Sequence, residues 1–223
     1  MEFLILAISY KELGLCVAGV EYGVFPVHFV RLGHNYNETN ECHSLSTYEM
    51  KINDPNYQDE YYRIGDVINV DVRKMPNNGC QTENYELLKI NEYVKTMNME
   101  EIEEICDSLP LENNIFGCCN NLIIPSNIHS ITNSLFFCEV NNLEINKIFS
   151  WGKTKLKASF IYNGQKYYDF SVTDSAFCAR PTTYGTEMIS GSYHKAYILL
   201  SLPYNETAKK IGFYKYIAGI IIV

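Results

Sequence analysis

Catalytic signatures are what this sequence lacks most. Its 223 residues contain no Gly-x-Ser-x-Gly elbow, no Walker phosphate loop, no His-Glu-x-x-His pair and no Gly-x-Gly-x-x-Gly turn. That removes the readily recognised serine hydrolases, P-loop enzymes, zinc peptidases and dinucleotide enzymes. The five histidines, His28, His34, His43, His129 and His194, are dispersed. The eight cysteines include no Cys-x-x-Cys pair, and no His/Cys spacing suits zinc. Adjacent Cys118 and Cys119 suit neither ligation by neighbours nor an easy disulfide. The expectation is a protein that is not an enzyme and that holds no metal and no cofactor.

Tryptophan is nearly missing too. Trp151 stands alone against 18 Tyr and 11 Phe, a balance that favours pleated strands. Long apolar runs are also lacking. Phe3–Ile8 has no basic leader and no small-residue cleavage site after it. The closing run Ile217–Val223 is far shorter than the roughly 20 residues needed to cross a bilayer. Both read as buried strands. The thiols are then read as reduced, the expected location is cytoplasmic, and no membrane partner is expected. An apolar fraction of 47% with 20% charge is that of a globular chain.

Basic residues are outnumbered, 18 against 26 acidic ones, but the imbalance is unevenly distributed. Residues 1–134 hold 20 acidic and 8 basic residues, a net of −12, while residues 135–223 hold 6 acidic and 10 basic, a net of +4. The C-terminal part can meet a phosphate backbone while the N-terminal part keeps the whole soluble.

Strand signals dominate both parts. Phe3–Ser9, Leu15–Glu21 and Val24–Leu32 are apolar stretches, followed by a polar, acidic and Tyr-rich excursion over residues 33–62. In Ile64–Lys74, Ile68, Val70 and Val72 alternate with Asn69, Asp71 and Arg73, a period of two. Tyr85–Tyr93 fits a further strand or a short helical piece. Asn98–Leu109 predicts a helix capped by Asn98, with glutamates in its first turns and Pro110 after it. Residues 111–134 are Asn-rich and irregular. Then come Leu135–Val140, Leu143–Phe149, Lys153–Tyr162, Gln165–Thr173, Tyr197–Leu202 and Tyr214–Val223. Asn163-Gly164 between two alternating runs is a strong hairpin signal. The spacing predicts two barrels of about five strands with a helical connector between them.

Several stretches resemble a bacterial family described as dual OB-containing proteins. Ile5–Gly19 is similar to its opening strand, Ser-x-Lys turn and Cys-x-Ala-Gly step. Phe29-Val30-Arg31 resembles its aromatic-apolar-Arg strand, and Ile64–Val72 the strand after the acidic loop. Phe160–Ala179 resembles its Tyr-Asn-Gly hairpin and Ser-Val-Thr-Asp step, here Ser171–Asp174. Ile198–Leu202 and Lys215–Ile221 look like its last two strands. Residues 75–134 diverge, and a proline that the family carries after its arginine is Leu32 here. The resemblance implies a mainly β fold of two OB-like Greek-key barrels joined by a short helical connector. The boundaries are an acidic barrel over residues 1–97, a connector over 98–134 and a basic barrel over 135–223. It also implies association with prokaryotic conflict or phage-defence systems and a nucleic-acid or nucleotide-sensing role, with no established reaction.

The candidate site residues follow from charge and alternation. Lys153, Lys155 and Lys157 lie at i, i+2 and i+4 and share one strand face, with Leu156, Ala158 and Phe160 on the other. Tyr168, Phe170 and Val172 are expected to face the core on the return strand, which turns Tyr167, Asp169 and Ser171 outward. Lys166, Tyr167 and Arg180 would then join the lysine row as phosphate and stacking partners for a single strand. The competing reading is a solvated strand face or an edge protected by lysines. Lys11 and Arg31 are further phosphate candidates, with an internal salt bridge as the alternative for each. Asp174 reads as a cap or turn residue, or as a metal or hydroxyl ligand. The expected partner is single-stranded nucleic acid or a nucleotide. The alternatives are a protein partner met by the acidic half, and a metal-dependent nuclease using Asp169 and Asp174.

Overall fold

Alternation in the sequence becomes closure in three dimensions. The computed structural model describes residues 1–11, 14–34, 44–52, 60–150, 152–182 and 185–223, apart from the side chains of residues 11, 180–182, 185, 186 and 206. Two compact units divide the chain, Met1–Pro110 and Leu111–Val223.

In the first unit, β1 (Glu2–Lys11), β2 (Gly14–Glu21), β3 (Phe29–Gly33), β4 (Asp66–Lys74) and β5 (Asn84–Thr96) close a barrel in the order β1-β2-β3-β5-β4. β3 and β5 run parallel and the other pairs antiparallel. This is the five-stranded Greek-key arrangement of an OB fold. Phe3, Ile5, Val17, Val30, Leu32, Ile68, Val70 and Leu87 fill its interior. The stretch over Tyr85–Tyr93 is thus strand. Most of the acidic excursion lies outside the described residues. Within it, Thr47–Met50 forms a 3-10 turn, and Leu45 bridges to Leu15. Helix α1 (Met99–Asp107) ends this unit. The Asn98 side chain accepts from the Glu101 N–H at 2.9 Å, and the Glu101 carboxylate accepts from the Asn98 N–H at 2.9 Å. These reciprocal bonds satisfy two of the donors that every helix start leaves open.

The second unit begins with a 3-10 turn at Ile115–Gly117, the short β6 (Leu122–Ile123) and a 3-10 segment at Pro125–Ser130. Then follow β7 (Leu135–Ser150), β8 (Lys153–Tyr162), β9 (Gln165–Val172), α2 (Ser175–Cys178), β10 (Arg180–Thr182) and β11 (Gly185–Glu187). The chain continues through β12 (Gly191–Ser201), α3 (Glu206–Ile211), β13 (Phe213–Tyr214) and β14 (Tyr216–Ile222). The second barrel closes as β12-β14-β9-β8-β7, with β9 and β14 parallel. Counted along this barrel, that is the same strand order as in the first. The two expected strands over Leu135–Phe149 are one strand of 16 residues. A bulge at Asn142, whose φ is 50°, shifts the register between Asn141 and Glu144 and bends the strand without ending it. Asn163 and Gly164, with φ of 47° and 73°, make the tight turn between β8 and β9.

β9 and β14 pair only at Ser171 with Tyr216 and Val172 with Ile217. Residues 112–121 fill the seam that this leaves. The Tyr162 hydroxyl donates to the Glu112 carbonyl at 2.8 Å, and the Lys215 N–H to the Asn121 carbonyl at 2.8 Å. The Lys215 ammonium, 1% exposed, donates to the carbonyls of Ile115 and Cys118, each at 2.6 Å. Burial holds its pKa below the ordinary lysine value. Lys215→Met strands two carbonyls and is expected to cost about 1–3 kcal/mol. Urea denaturation with amide exchange over residues 112–121 reads that loss.

Candidate functional site

β8 places the lysine row as alternation requires. Leu156, Ala158 and Phe160 are buried, Lys153 and Lys155 are exposed, and Lys157 is half-buried. Lys153 and Lys155 have no acidic partner among the described residues. Lys157 differs: its ammonium lies 3.1 Å from the Asp169 carboxylate and donates to the Asp169 carbonyl at 2.9 Å. Lys166, exposed on β9, sits over the Tyr168 ring at 5.1 Å from its centroid. The face of β7, β8 and β9 therefore carries three lysines without a carboxylate partner among the described residues, one paired lysine and an open ring. β7 adds an acid there, since Glu144 accepts from the Ser159 hydroxyl at 3.2 Å.

Tyr167 is not part of this face. It is 0% exposed and stacks on Phe160 with ring centroids 5.3 Å apart. The expected alternation fails because β9 holds one extra residue against β8. Phe160 pairs with Tyr167 and Ala158 with Phe170, so two residues oppose Ser159 alone. In this bulge Tyr168 and Asp169 both face outward, and Asp169 takes a φ of 61°. Tyr168, 59% exposed, replaces Tyr167 as the aromatic of the site. Phe149, 77% exposed, also escaped the sequence reading, but it pairs with Thr154 and so points to the opposite side of the β7–β8 hairpin from the lysines.

Arg31 is likewise not a surface residue. It is 4% exposed on β3, its guanidinium 3.2 Å from the equally buried Glu83 carboxylate, and its N–H donates to the Glu83 carbonyl. On β3 it is buried along with its neighbours Val30 and Leu32, and the internal ion pair is the arrangement found. The side chains of Lys11 and Arg180 lie outside the described residues.

Asp174 is 0% exposed and caps α2. Its carboxylate accepts from the N–H groups of Ala176 at 2.8 Å, Phe177 at 3.3 Å and, from β14, Ile220 at 2.8 Å. Burial pushes its pKa up to about 6 against the pull of those three donors. Asp169 and Asp174 are not brought together: one lies on the lysine face and the other in the cap. No group of three or more metal-binding side chains occurs among the described residues, and no helix there is long and apolar enough to cross a membrane.

Two closed barrels of OB topology in one chain define the class: a tandem OB protein whose outer β7-β8-β9 face is basic on the second barrel. The sequence model of the dual OB-containing domain family matches residues 1–220, and the chain belongs to that family. No curated protein and no solved structure matches it.

Proposed function

We propose that the second barrel binds single-stranded nucleic acid or a nucleotide on the outer face of β7, β8 and β9. The protein would act in the cytoplasm, without catalysis of its own, as a sensing or accessory subunit of a prokaryotic defence system. The defence role rests on the family resemblance. The binding role rests on one observation: Lys153, Lys155 and Lys166 are exposed on one outer face of the second and third strands of an OB barrel, a face that also carries the exposed Tyr168 ring with Lys166 over it. That is the face and the mixture of groups with which OB folds track phosphates and stack bases.

Salt tests it. With three phosphate contacts on a single strand, the logarithm of the association constant should fall against the logarithm of salt with a slope of about −2. Lys153→Glu with Lys155→Glu should weaken binding about ten-fold or more at low salt and flatten that slope. A labelled oligonucleotide followed by fluorescence anisotropy reads both. Failure of DNA, RNA and mononucleotides to bind at low salt would transfer the function to the alternative, a protein partner met by the acidic N-terminal half.

A further inference from the structure

The bulge on β9 breaks the alternation at the centre of the basic face. Tyr168 and Asp169 are consecutive, yet both point outward, so a ring and a carboxylate stand side by side. Asp169 reaches this position in the left-handed backbone region, with φ of 61°. That region is sparsely used by residues other than glycine, and such outliers concentrate at working sites.

The carboxylate is held in place. Lys157 lies 3.1 Å from one oxygen, and the Asn121 amide donates to the other at 3.3 Å and to the Asp169 carbonyl at 3.0 Å. Even so, 64% of the side chain is exposed. Two oxygens offer about four lone-pair sites, so acceptor capacity remains toward solvent. An acid in the middle of a phosphate-binding face opposes phosphate, and Lys157 neutralises only its net charge. What it offers a nucleic acid is a paired acceptor for base donors. The ring beside it has Lys166 over one side, leaving the other for a base.

We infer that Tyr168 and Asp169 form a base-reading pair selective for guanine within a single strand. The inference rests on the nucleic-acid reading of this face and goes one step further, to which base it takes. The base stacks on Tyr168 and turns its Watson–Crick edge to Asp169. Guanine presents two adjacent donors there, the ring N1–H and the exocyclic amine, which match two carboxylate oxygens. Adenine and cytosine set an acceptor beside their amino group, and that acceptor faces a carboxylate oxygen in repulsion. Thymine and uracil offer a single ring N–H between two carbonyls. Single-stranded bases are commonly recognised in this way, by stacking plus contacts to the Watson–Crick edge.

The test uses the full chain and thymidine tetranucleotides carrying one internal guanine, adenine, cytosine or hypoxanthine. Guanine should bind about ten-fold more tightly than the other bases. Hypoxanthine, which keeps N1–H and lacks the amine, should lose most of that advantage. Asp169→Asn should abolish the preference, bringing guanine level with the other three bases, while every oligonucleotide gains some affinity because the Lys157 ammonium loses its carboxylate partner. Asparagine tolerates the left-handed backbone, so this variant keeps the bulge. Tyr168→Leu should weaken every oligonucleotide alike. Equal binding of all four bases, or a guanine preference that survives Asp169→Asn, overturns the inference and leaves the nucleic-acid reading standing. No binding of any tetranucleotide at low salt overturns the inference, and if RNA and mononucleotides also fail to bind there, the nucleic-acid reading falls with it.

Discussion

Alanine at position 19 is expected to destabilise the first barrel by about 3 kcal/mol or more, a large fraction of the stability of an ordinary domain. Gly19 lies on β2 opposite Ile5, where a bulge between Ile5 and Ala7 shifts the register of β1. A Cβ built there would sit 1.8 Å from the Leu4 carbonyl oxygen and 3.0 Å from both the Leu4 carbonyl carbon and the Leu6 nitrogen. All three are backbone atoms of a paired strand, so nothing can rotate away. The β1–β2 ladder must separate, and with it the closure that buries Phe3, Ile5 and Val17. Gly23→Ala is the matched control. Gly23 has a φ of 75° and open space around its Cβ position, so alanine there meets only backbone strain of about 1–2 kcal/mol. Urea titration of both variants, with amide exchange over β1 and β2, separates the two causes. A Gly19→Ala midpoint at or above that of Gly23→Ala would show that β1 can move aside.

The glycine of the Cys-x-Ala-Gly step was legible as a motif but not as a contact, and that contrast runs through the chain. Period two placed Lys153, Lys155 and Lys157 correctly, because neighbouring strands hold β8 in an unbroken pleat there. Asn163-Gly164 announced its turn because a left-handed residue pair has few acceptable sequences. Asn98 and Glu101 announced α1 through a local device, complete within four residues. Tyr167 was misplaced because a bulge depends on the partner strand and this one carries no glycine to mark it. Asp169 occupies the position where glycine would have given the warning. Lys215 escaped for a related reason. A lysine whose ammonium is bound by carbonyls 97 and 100 residues away looks, in sequence, like any surface lysine. Arg31 was legible only as a choice between phosphate and an internal acid, and the acid that decides it, Glu83, lies on a distant part of the chain.

Asp174→Ala is expected to cost the second barrel about 2–4 kcal/mol near neutral pH and more in mild acid. The side chain joins two elements, since one oxygen serves the first turn of α2 and the other the Ile220 N–H of β14. Alanine leaves three N–H groups without their acceptor, two of them buried, and removes the cap. Relief from burying a charge offsets part of this. The pH dependence follows from the raised pKa. The folded chain holds the Asp174 proton more tightly than the unfolded chain, so protonation stabilises the fold. That contribution is complete below the ordinary value of 3.8 and is lost as pH rises through about 6. At about 1.4 kcal/mol per unit, its span is about 3 kcal/mol. The gap between wild type and Asp174→Ala should therefore widen from about pH 7.5 to about pH 4.5, against the common pattern in which carboxylates lose their value on acidification. Asp174→Asn should fall between the two, because its amide offers one acceptor oxygen where the carboxylate offers two, and its stability should lack this pH term. Denaturation midpoints of the three proteins across that range decide the matter. A gap that narrows on acidification would mean that the three N–H donors outweigh burial, and that the ionised carboxylate is the form the fold prefers.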